Sequence, residues 1–257
     1  MLKYQKIIFG FILLLISILI IDFYTSISIW LYVIIIIMMV GLLAYGSVNI
    51  RSGFYCKVLC CAEIEKKIIA LTFDDGPDVT GTPVILDILR KYNIKAAFFC
   101  IGQKAEKHPD LIREIDHQGH IIGSHSYSHH LFFDLFGSGK ILKELQLTEN
   151  IINKTLNKKI KMFRPPYGVT NPPLSRALQK MDYHIIGWSL RSKDSVIKKE
   201  NLLFERLTRR VKAGDIVLFH DTLSRNAGVL ELFIKFALEN NYRFERPDKI
   251  LDIEAYE

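Results

Sequence analysis

Hydrophobic positions along this chain fall into two regimes. From residue 7 to residue 45 they run almost unbroken. The stretches "IIFGFILLLISILII" (7–21) and "ISIWLYVIIIIMMVGLLAY" (27–45) carry no charge, and a short polar break at 22–28 separates them. The second is long enough to cross a bilayer, and the first gains length from Phe23 and Tyr24. A cleaved signal peptide is the competing reading of the first run. No small-residue cleavage site follows it, however, and a second apolar run does. The pattern predicts two N-terminal transmembrane helices within 1–50, with membrane contact through 7–45. A linker is expected over 51–66 and a globular domain over 67–257.

In the second regime, short apolar runs alternate with amphipathic stretches. "KIIALTF" (67–73) reads as a buried strand bounded by Gly-Pro. "TPVILDILRKYN" (82–93) reads as a helix, with Thr82 suited to the N-cap and Pro83 to the first turn. Strands follow at "KAAFFCIG", "HIIGSHS", "KMFRPPYG", "YHIIGWSL", "DIVLFH" and "YRFERPD". The stretches between them carry helical signals. One helix starts near Pro109, and another, over 138–157, groups Leu142, Leu145, Thr148, Ile151 and Ile152 near one face. About seven strand-then-helix units result. Near-continuous apolar strands imply a parallel sheet covered on both faces, as a closed (β/α) barrel or a doubly wound sheet. No Gly-rich dinucleotide fingerprint follows the first strand, which weakens the cofactor-binding version of the latter.

Composition adjusts this picture only a little. The hydrophobic share of 49% is high because of the apolar front. The net charge of +7 is scattered, with one denser patch at "NKTLNKKIK" (153–161) that reads as a solvated helix end or as attraction to an anionic polymer. No nucleic-acid motif accompanies it. Lys3 and Lys6 precede the apolar pair, and Arg51, Lys57, Lys66 and Lys67 follow it, which favours both ends in the cytoplasm. Cys56, Cys60, Cys61 and Cys100 lack zinc-ribbon spacing. They read as unpaired or juxtamembrane thiols, with lipidation or a disulfide as alternatives.

Candidate chemistry gathers after the strands, where a barrel carries its active site. Asp74 and Asp75 end the first strand in "LTFDDGPD". Consecutive strand side chains point to opposite faces, so both acids can aim at one point only where the backbone turns, and Gly76-Pro77 supplies that turn. His125 and His129 follow the third strand in "HSYSH". Their spacing would stack them on one face of a helical turn. They read either as ligands, with a carboxylate, for zinc or a similar divalent ion, or as surface or core histidines. If one acid holds a cation, the other is free to act as general base on water. Arg164 opens "RPPYG", Asp194 ends "WSLRSKD", and His220 closes the sixth strand ahead of Asp221. His108, His117, His120 and His184 have no such company and read as structural.

Taken in order, "TFDDGP", "HSYSH", "RPPYG", Asp194 and "LFH" resemble the five motifs of the polysaccharide deacetylase family, carbohydrate esterase family four. The resemblance spans about 66–221 and leaves out the apolar front. It implies a distorted (β/α) barrel and a metal-dependent hydrolase that removes N-acetyl groups from amino sugars of a peptidoglycan or chitin-like glycan, releasing acetate. It implies that Asp75, His125 and His129 hold one divalent ion, zinc first, with cobalt, nickel or manganese as alternatives. Asp74 would be the base and Arg164 its partner. The Tyr167 N–H would stabilise the oxyanion. His220 would protonate the leaving amine, with Asp194 orienting it and raising its pKa. A deacetylase or deformylase of a lipid-linked sugar, an O-acetyl esterase and an inactive glycan-binding member are the alternatives. Family members work outside the cytoplasm, in conflict with the charge bias, and an extracytoplasmic site is preferred because glycan polymers lie there. One motif departs from the family's D-x-x-D-W: Arg191 stands for the first acid and Ser195 for the tryptophan. Trp188 could replace that groove wall or belong to the core.

Overall fold

The computed structural model describes residues 3–222 and 227–257. It opens with a helical hairpin, α1 (Lys3–Tyr24) and α2 (Ile29–Val48), apolar on nearly every side. Both helices are long and apolar enough to cross a membrane, by a test of length and composition that a signal sequence also passes. Side chains such as Phe9, Ile20 and Ile37 lie exposed along them, which suits an apolar surrounding. In the turn, Asp22 accepts from the Ile27 N–H and the Tyr32 hydroxyl. The open end of the hairpin rests on the globular part. Lys3 Nζ donates to the Ser52 carbonyl, the Tyr4 N–H to that of Phe54, and the Tyr4 and Tyr55 rings lie 5.1 Å apart.

The expected linker contributes structure of its own. Phe54, Tyr55 and Cys56 are buried, and β1 (Val58–Leu59) joins the sheet. Then follow β2 (Ile68–Asp74), α3 (Gly81–Lys91), β3 (Ala97–Cys100), α4 (Gly102–Lys107), α5 (Pro109–His117), β4 (Ile121–Ser124), α6 (Ser138–Leu156) and β5 (Met162–Phe163). The chain continues through α7 (Pro172–Leu178), β6 (His184–Ile186), β7 (Leu190–Arg191), α8 (Glu200–Thr208), β8 (Ile216–His220), α9 (Ala227–Glu239), β9 (Arg243–Phe244) and α10 (Pro247–Leu251). The strand expected over 183–190 divides in two at residues 187–189. Helix α3 starts one residue earlier than expected, and Thr82 does not cap it. Asp78 Oδ1 accepts from the Thr80 and Gly81 N–H groups instead.

The sheet runs β1-β6-β5-β4-β3-β2-β8-β7, with β9 on β2, and its strand pairs are parallel. β6 lies near one edge and β7 forms the other, yet only three residues join them. The two edges must therefore meet, and the sheet curls into a distorted barrel. The Gly187 N–H donates to the Leu59 carbonyl on one edge, and the Ser189 N–H to the Ile216 carbonyl on the other. A Cβ on Gly187 would lie 2.5 Å from Cys60 Sγ, so glycine lets the two edges pack closely without displacing that side chain.

Both faces of the barrel wall are buried, which is why its strands read as continuous apolar runs. Ile69, Leu71 and Phe73 of β2 pack outward in one cluster with Leu86, Ile112, Leu207 and Phe233 of the surrounding helices. Ala97, Phe99, Ile121, Met162, Ile186 and Ile216 form the separate inner cluster. By the two-residue period, Thr72 and Asp74 point inward with them.

Candidate active site

Arg164 follows β5 and is fully buried. Burial draws its pKa down and the neighbouring Asp74 charge opposes this. Burying a guanidinium is tolerable only when its donors are used. Here Nε reaches the Ile186 carbonyl at 3.1 Å and Nη2 the Gly187 carbonyl at 2.7 Å. Nη1 reaches Thr72 Oγ1 at 2.9 Å and Asp74 Oδ1 at 2.7 Å. The Phe99 ring lies 4.1 Å from the guanidinium carbon. Arg164 thus ties three strand ends together and fixes one oxygen of Asp74.

Asp75 turns the other way because its backbone is left-handed, at φ 74°. Lys104 Nζ donates to its carbonyl at 2.7 Å and holds the turn. A Cβ on Gly76 would lie 2.1 Å from Asp221 Oδ2, so the tight turn depends on glycine there. Asp221 is itself buried, takes a 2.6 Å bond from the Thr82 hydroxyl, and is pushed up to about 7 by burial.

His125 and His129 meet near Asp75, but not on a helix. Residues 125–130 form a bent loop with left-handed backbone at Ser126 and His129. The His129 N–H donates to Ser126 Oγ. Buried Glu144 of α6 accepts from the Tyr127 and Ser128 N–H groups and from the Ser128 hydroxyl. A spacing of four suggested the helical turn, whereas two positive φ angles and a buried carboxylate produce the approach.

Asp75 Oδ1 lies 3.5 Å from His125 Nε2 and 3.3 Å from His129 Nε2. Ligand atoms of the three residues lie within 4.8 Å of one another, close enough to hold a metal ion. His125 Nδ1 sits 2.8 Å from the Arg164 carbonyl. A carbonyl can only accept, so Nδ1 carries the proton and Nε2 turns its lone pair to the group. Asp75 Oδ1 is buried without a hydrogen-bond partner. Orphaned carboxylate oxygen beside two imidazoles is the donor set a divalent ion satisfies. Burial, and then the neighbouring His125, draw the His129 pKa below its usual value. Asp75 lies below the usual carboxylate range, because the nearby histidines outweigh its burial.

Opposite stands His220, at the end of β8. Its Nδ1 donates to Asp194 Oδ1 at 2.6 Å, and its backbone N–H donates to Asp194 Oδ2 at 2.8 Å. Burial alone would lower the histidine pKa. The Asp194 bond and charge, with Asp74 and Asp75, overcome that and push it up to about 9. His220 Nε2 lies 3.9 Å from Asp75 Oδ2. The 3-10 turn Pro166–Gly168 brings in Tyr167, left-handed at φ 59°, whose hydroxyl lies 3.4 Å from His129 Nδ1. Left-handed residues away from glycine cluster where function constrains the backbone. Asp75, Ser126, His129 and Tyr167 are four of them at one site.

These groups, with Trp188, Arg191, Ser195 and Leu218, line a cavity of about 180 Å³. Trp188 belongs to that wall and not to the buried core. A Cβ on Gly168 would lie 2.4 Å from its ring, and the Arg164 and Arg191 guanidiniums each sit 5.7 Å from it. Of the eight residues singled out in the sequence, Asp74, Asp75, His125, His129, Tyr167 and His220 line this cavity, while buried Arg164 and Asp194 stand behind it, bonded to Asp74 and His220. Glu144 and Asp221 were missed. A carboxylate on the apolar stripe of α6 was the available signal for the first. Nothing local marked the second beyond its place after His220.

Comparison with known proteins agrees with this geometry. A family profile described as "Polysaccharide deacetylase" matches residues 62–186. Two relatives from Bacillus cereus bear the name peptidoglycan-N-acetylglucosamine deacetylase. One is 34% identical over 61% of this chain and 57% of its own, the other 31% identical over 72% and 89%. This chain thus spans little more than half of the first. The chitin deacetylase of Colletotrichum lindemuthianum superposes with a TM-score of 0.72 at 26% identity, over 78% of this chain and 95% of that one. The chain belongs to the polysaccharide deacetylase family.

Proposed function

We propose that this protein is a divalent-metal hydrolase that removes N-acetyl groups from amino sugars of a peptidoglycan or chitin-like glycan, releasing acetate. The observation that carries the reading is the orphaned Asp75 oxygen between two imidazoles, flanked by the Asp74–Arg164 and His220–Asp194 pairs. Asp75, His125 and His129 hold the ion, with zinc the first choice for a site with two imidazoles and open positions. When bound, such an ion polarises the amide carbonyl and makes water more acidic.

The chain's own groups supply the rest. Asp74, fixed by Arg164 through one oxygen, has its other oxygen free to take a proton from the attacking water. The Tyr167 N–H donates to the oxygen that becomes negative. His220 carries a proton at Nε2 and delivers it to the departing amine nitrogen, which cannot leave as an amide anion. Asp194 orients that ring and keeps it charged. Residues 67–257 form the catalytic domain, completed by β1, and the hairpin anchors it in a membrane. An extracytoplasmic site suits a glycan polymer, while the flanking lysines and arginines favour the cytoplasmic side.

A second reading, hydrolysis of a lipid-linked amino sugar, draws on one contact. The Thr170 N–H, three residues past Tyr167, donates to the Ser47 carbonyl at the end of α2. The site mouth therefore sits at the foot of the hairpin, and the apolar side chains of Leu131, Phe132 and Leu135 are exposed just past His129.

The test is acetate release from an N-acetylated chitooligosaccharide by the full chain in detergent, first stripped of metal and then given zinc, cobalt or nickel singly. Metal-dependent release supports the reading, and release that ignores the metal overturns it.

A further inference from the structure

Behind the site wall lies a second cavity, of about 390 Å³, lined by Arg51, Arg191, Arg206, Arg209, Arg210 and Lys212. One carboxylate, Asp215, shares it. Both Asp215 oxygens are engaged, Oδ1 by the Ser189 hydroxyl and Oδ2 by the Lys212 N–H. Among the described residues, only Arg209 of the six basic side chains has an ion-pair partner, Glu205 at 2.5 Å. Six cations against that one shared carboxylate and Glu205 leave the cleft strongly positive, and like charges in excess repel. Burial, then Arg210 and Arg191, draw the Arg206 pKa below its usual value. A fold maintains such a cluster against its own repulsion most readily when an anion completes it.

Arg191 links this cleft to the chemistry. It lines both cavities. On β7 it pairs with Leu218, which also lines the active site, while Leu190 beside it packs outward into the helical layer. Its Nε is buried and lacks a hydrogen-bond partner. Arg206 Nε donates to its carbonyl at 3.2 Å, which fixes the end of α8 against the strand. Arg51 lies in the 3-10 turn directly after α2, so the cleft extends to the foot of the hairpin.

We propose that Arg191 and the cleft behind it bind a phosphate or diphosphate group of the substrate, so that the N-acyl amino sugar is a phosphate ester presented at the membrane surface. Planar guanidiniums match phosphate oxygens two at a time, and several of them suit a multiply charged group better than a single carboxylate. This substrate class rests on the amide-hydrolase reading in its second form, with a lipid-linked amino sugar in place of the glycan polymer, and binding can be measured without turnover.

The first arm titrates inorganic pyrophosphate into the metal-free full chain in neutral detergent, by calorimetry. Leaving the metal out removes it as a competing phosphate ligand. Saturable binding that weakens about tenfold to a hundredfold in Arg191→Gln and again in Arg206→Gln is the expected result. Arg191→Lys, which keeps the charge but not the fork, should fall between. Circular dichroism checks that each variant is folded. No binding, or binding indifferent to both substitutions, overturns the proposal.

The second arm compares kcat/KM of the metal-loaded enzyme on an N-acetylglucosamine 1-phosphate ester with a short alkyl chain, on the neutral N-acetylglucosamine alkyl glycoside and on N-acetylmuramic acid. A preference for the phosphate ester of about tenfold or more, reduced in Arg191→Gln, supports the proposal. Equal rates on ester and glycoside, or a preference for the carboxylate sugar, overturn it while leaving the hydrolase reading intact. Failure on all three by enzyme that releases acetate from the chitooligosaccharide overturns the phosphate-ester substrate and leaves the hydrolase reading intact, whereas failure on the chitooligosaccharide as well strikes the hydrolase reading, and the pyrophosphate titration still decides the subsite. A third arm adds phosphatidylglycerol micelles: competition with pyrophosphate as strong as that of the ester assigns the cleft to lipid headgroups and overturns its role in substrate binding.

Discussion

The two sides of the site mouth are supported in different ways. On the side of β2, β4 and β5, the buried charges are paired and hydrogen-bonded, save the Asp75 oxygen that faces the two histidines. Arg164 uses its donors on three strand ends and on Asp74, and His125 is fixed by the Arg164 carbonyl. On the side of β7 and α8, Asp194 and His220 form one tight pair, while Arg191 and its neighbours face each other as like charges. The first side is pre-organised for a reaction common to the family. The second keeps the His220–Asp194 pair, proposed above as the proton donor, and has Arg191 and Ser195 where the family resemblance led us to expect an acid and a tryptophan. Reaction and substrate selection are therefore separable here, and substitutions can test that division.

The largest effect is expected on the first side. Asp74→Asn should lower kcat by about 10² to 10⁴, the usual contribution of a general base, with metal still bound. A near-normal rate in metal-loaded Asp74→Asn would break the assignment. Arg164→Met should cost about 3–5 kcal/mol of stability, because it leaves Asp74 buried without its partner. Thermal or denaturant unfolding measures this, and a loss under 1 kcal/mol would show the pair to be dispensable.

Across the mouth, His220 must be protonated to act as an acid. Its pKa is pushed up to about 9, so the rate should hold through neutral pH and fall as pH rises past about 9. Asp194→Asn removes the charge that raises it, and the fall should move towards the ordinary histidine value of about 6.5. A fall that stays in place in Asp194→Asn would contradict that coupling. The smallest effect is expected at Glu144. Glu144→Ala frees the Tyr127 and Ser128 N–H groups and should cost about 1–3 kcal/mol of stability, together with weaker metal binding. Unchanged metal affinity would show that the histidine loop holds its shape without that carboxylate.

Much of this was legible in the sequence because parallel strands buried on both faces announce themselves as apolar runs, and the polar residues just beyond them mark the mouth. Asp74, Asp75, His125, His129, Arg164, Asp194 and His220 could be picked out on that basis, and Tyr167 through the resemblance carried by "RPPYG". Local spacing misled at His125 and His129, since four residues fit a helical turn as well as a bent loop. β1 escaped notice because two residues carry no period. The barrel's edges pack closely at Gly187, whose approach to Cys60 is visible only in three dimensions. The basic cleft was hidden for the same reason. Arg51, Arg191 and Arg206 are distant in sequence, and the end of α8 brings them together.

The central claim is that Asp75, His125 and His129 form a metal centre. The most direct measurement is equilibrium binding of zinc to the metal-stripped full chain, compared with His125→Ala. One ion per chain, bound tightly by the native protein and lost in the variant, is the predicted result. No ion in the native protein, or one held equally well by His125→Ala, would contradict it.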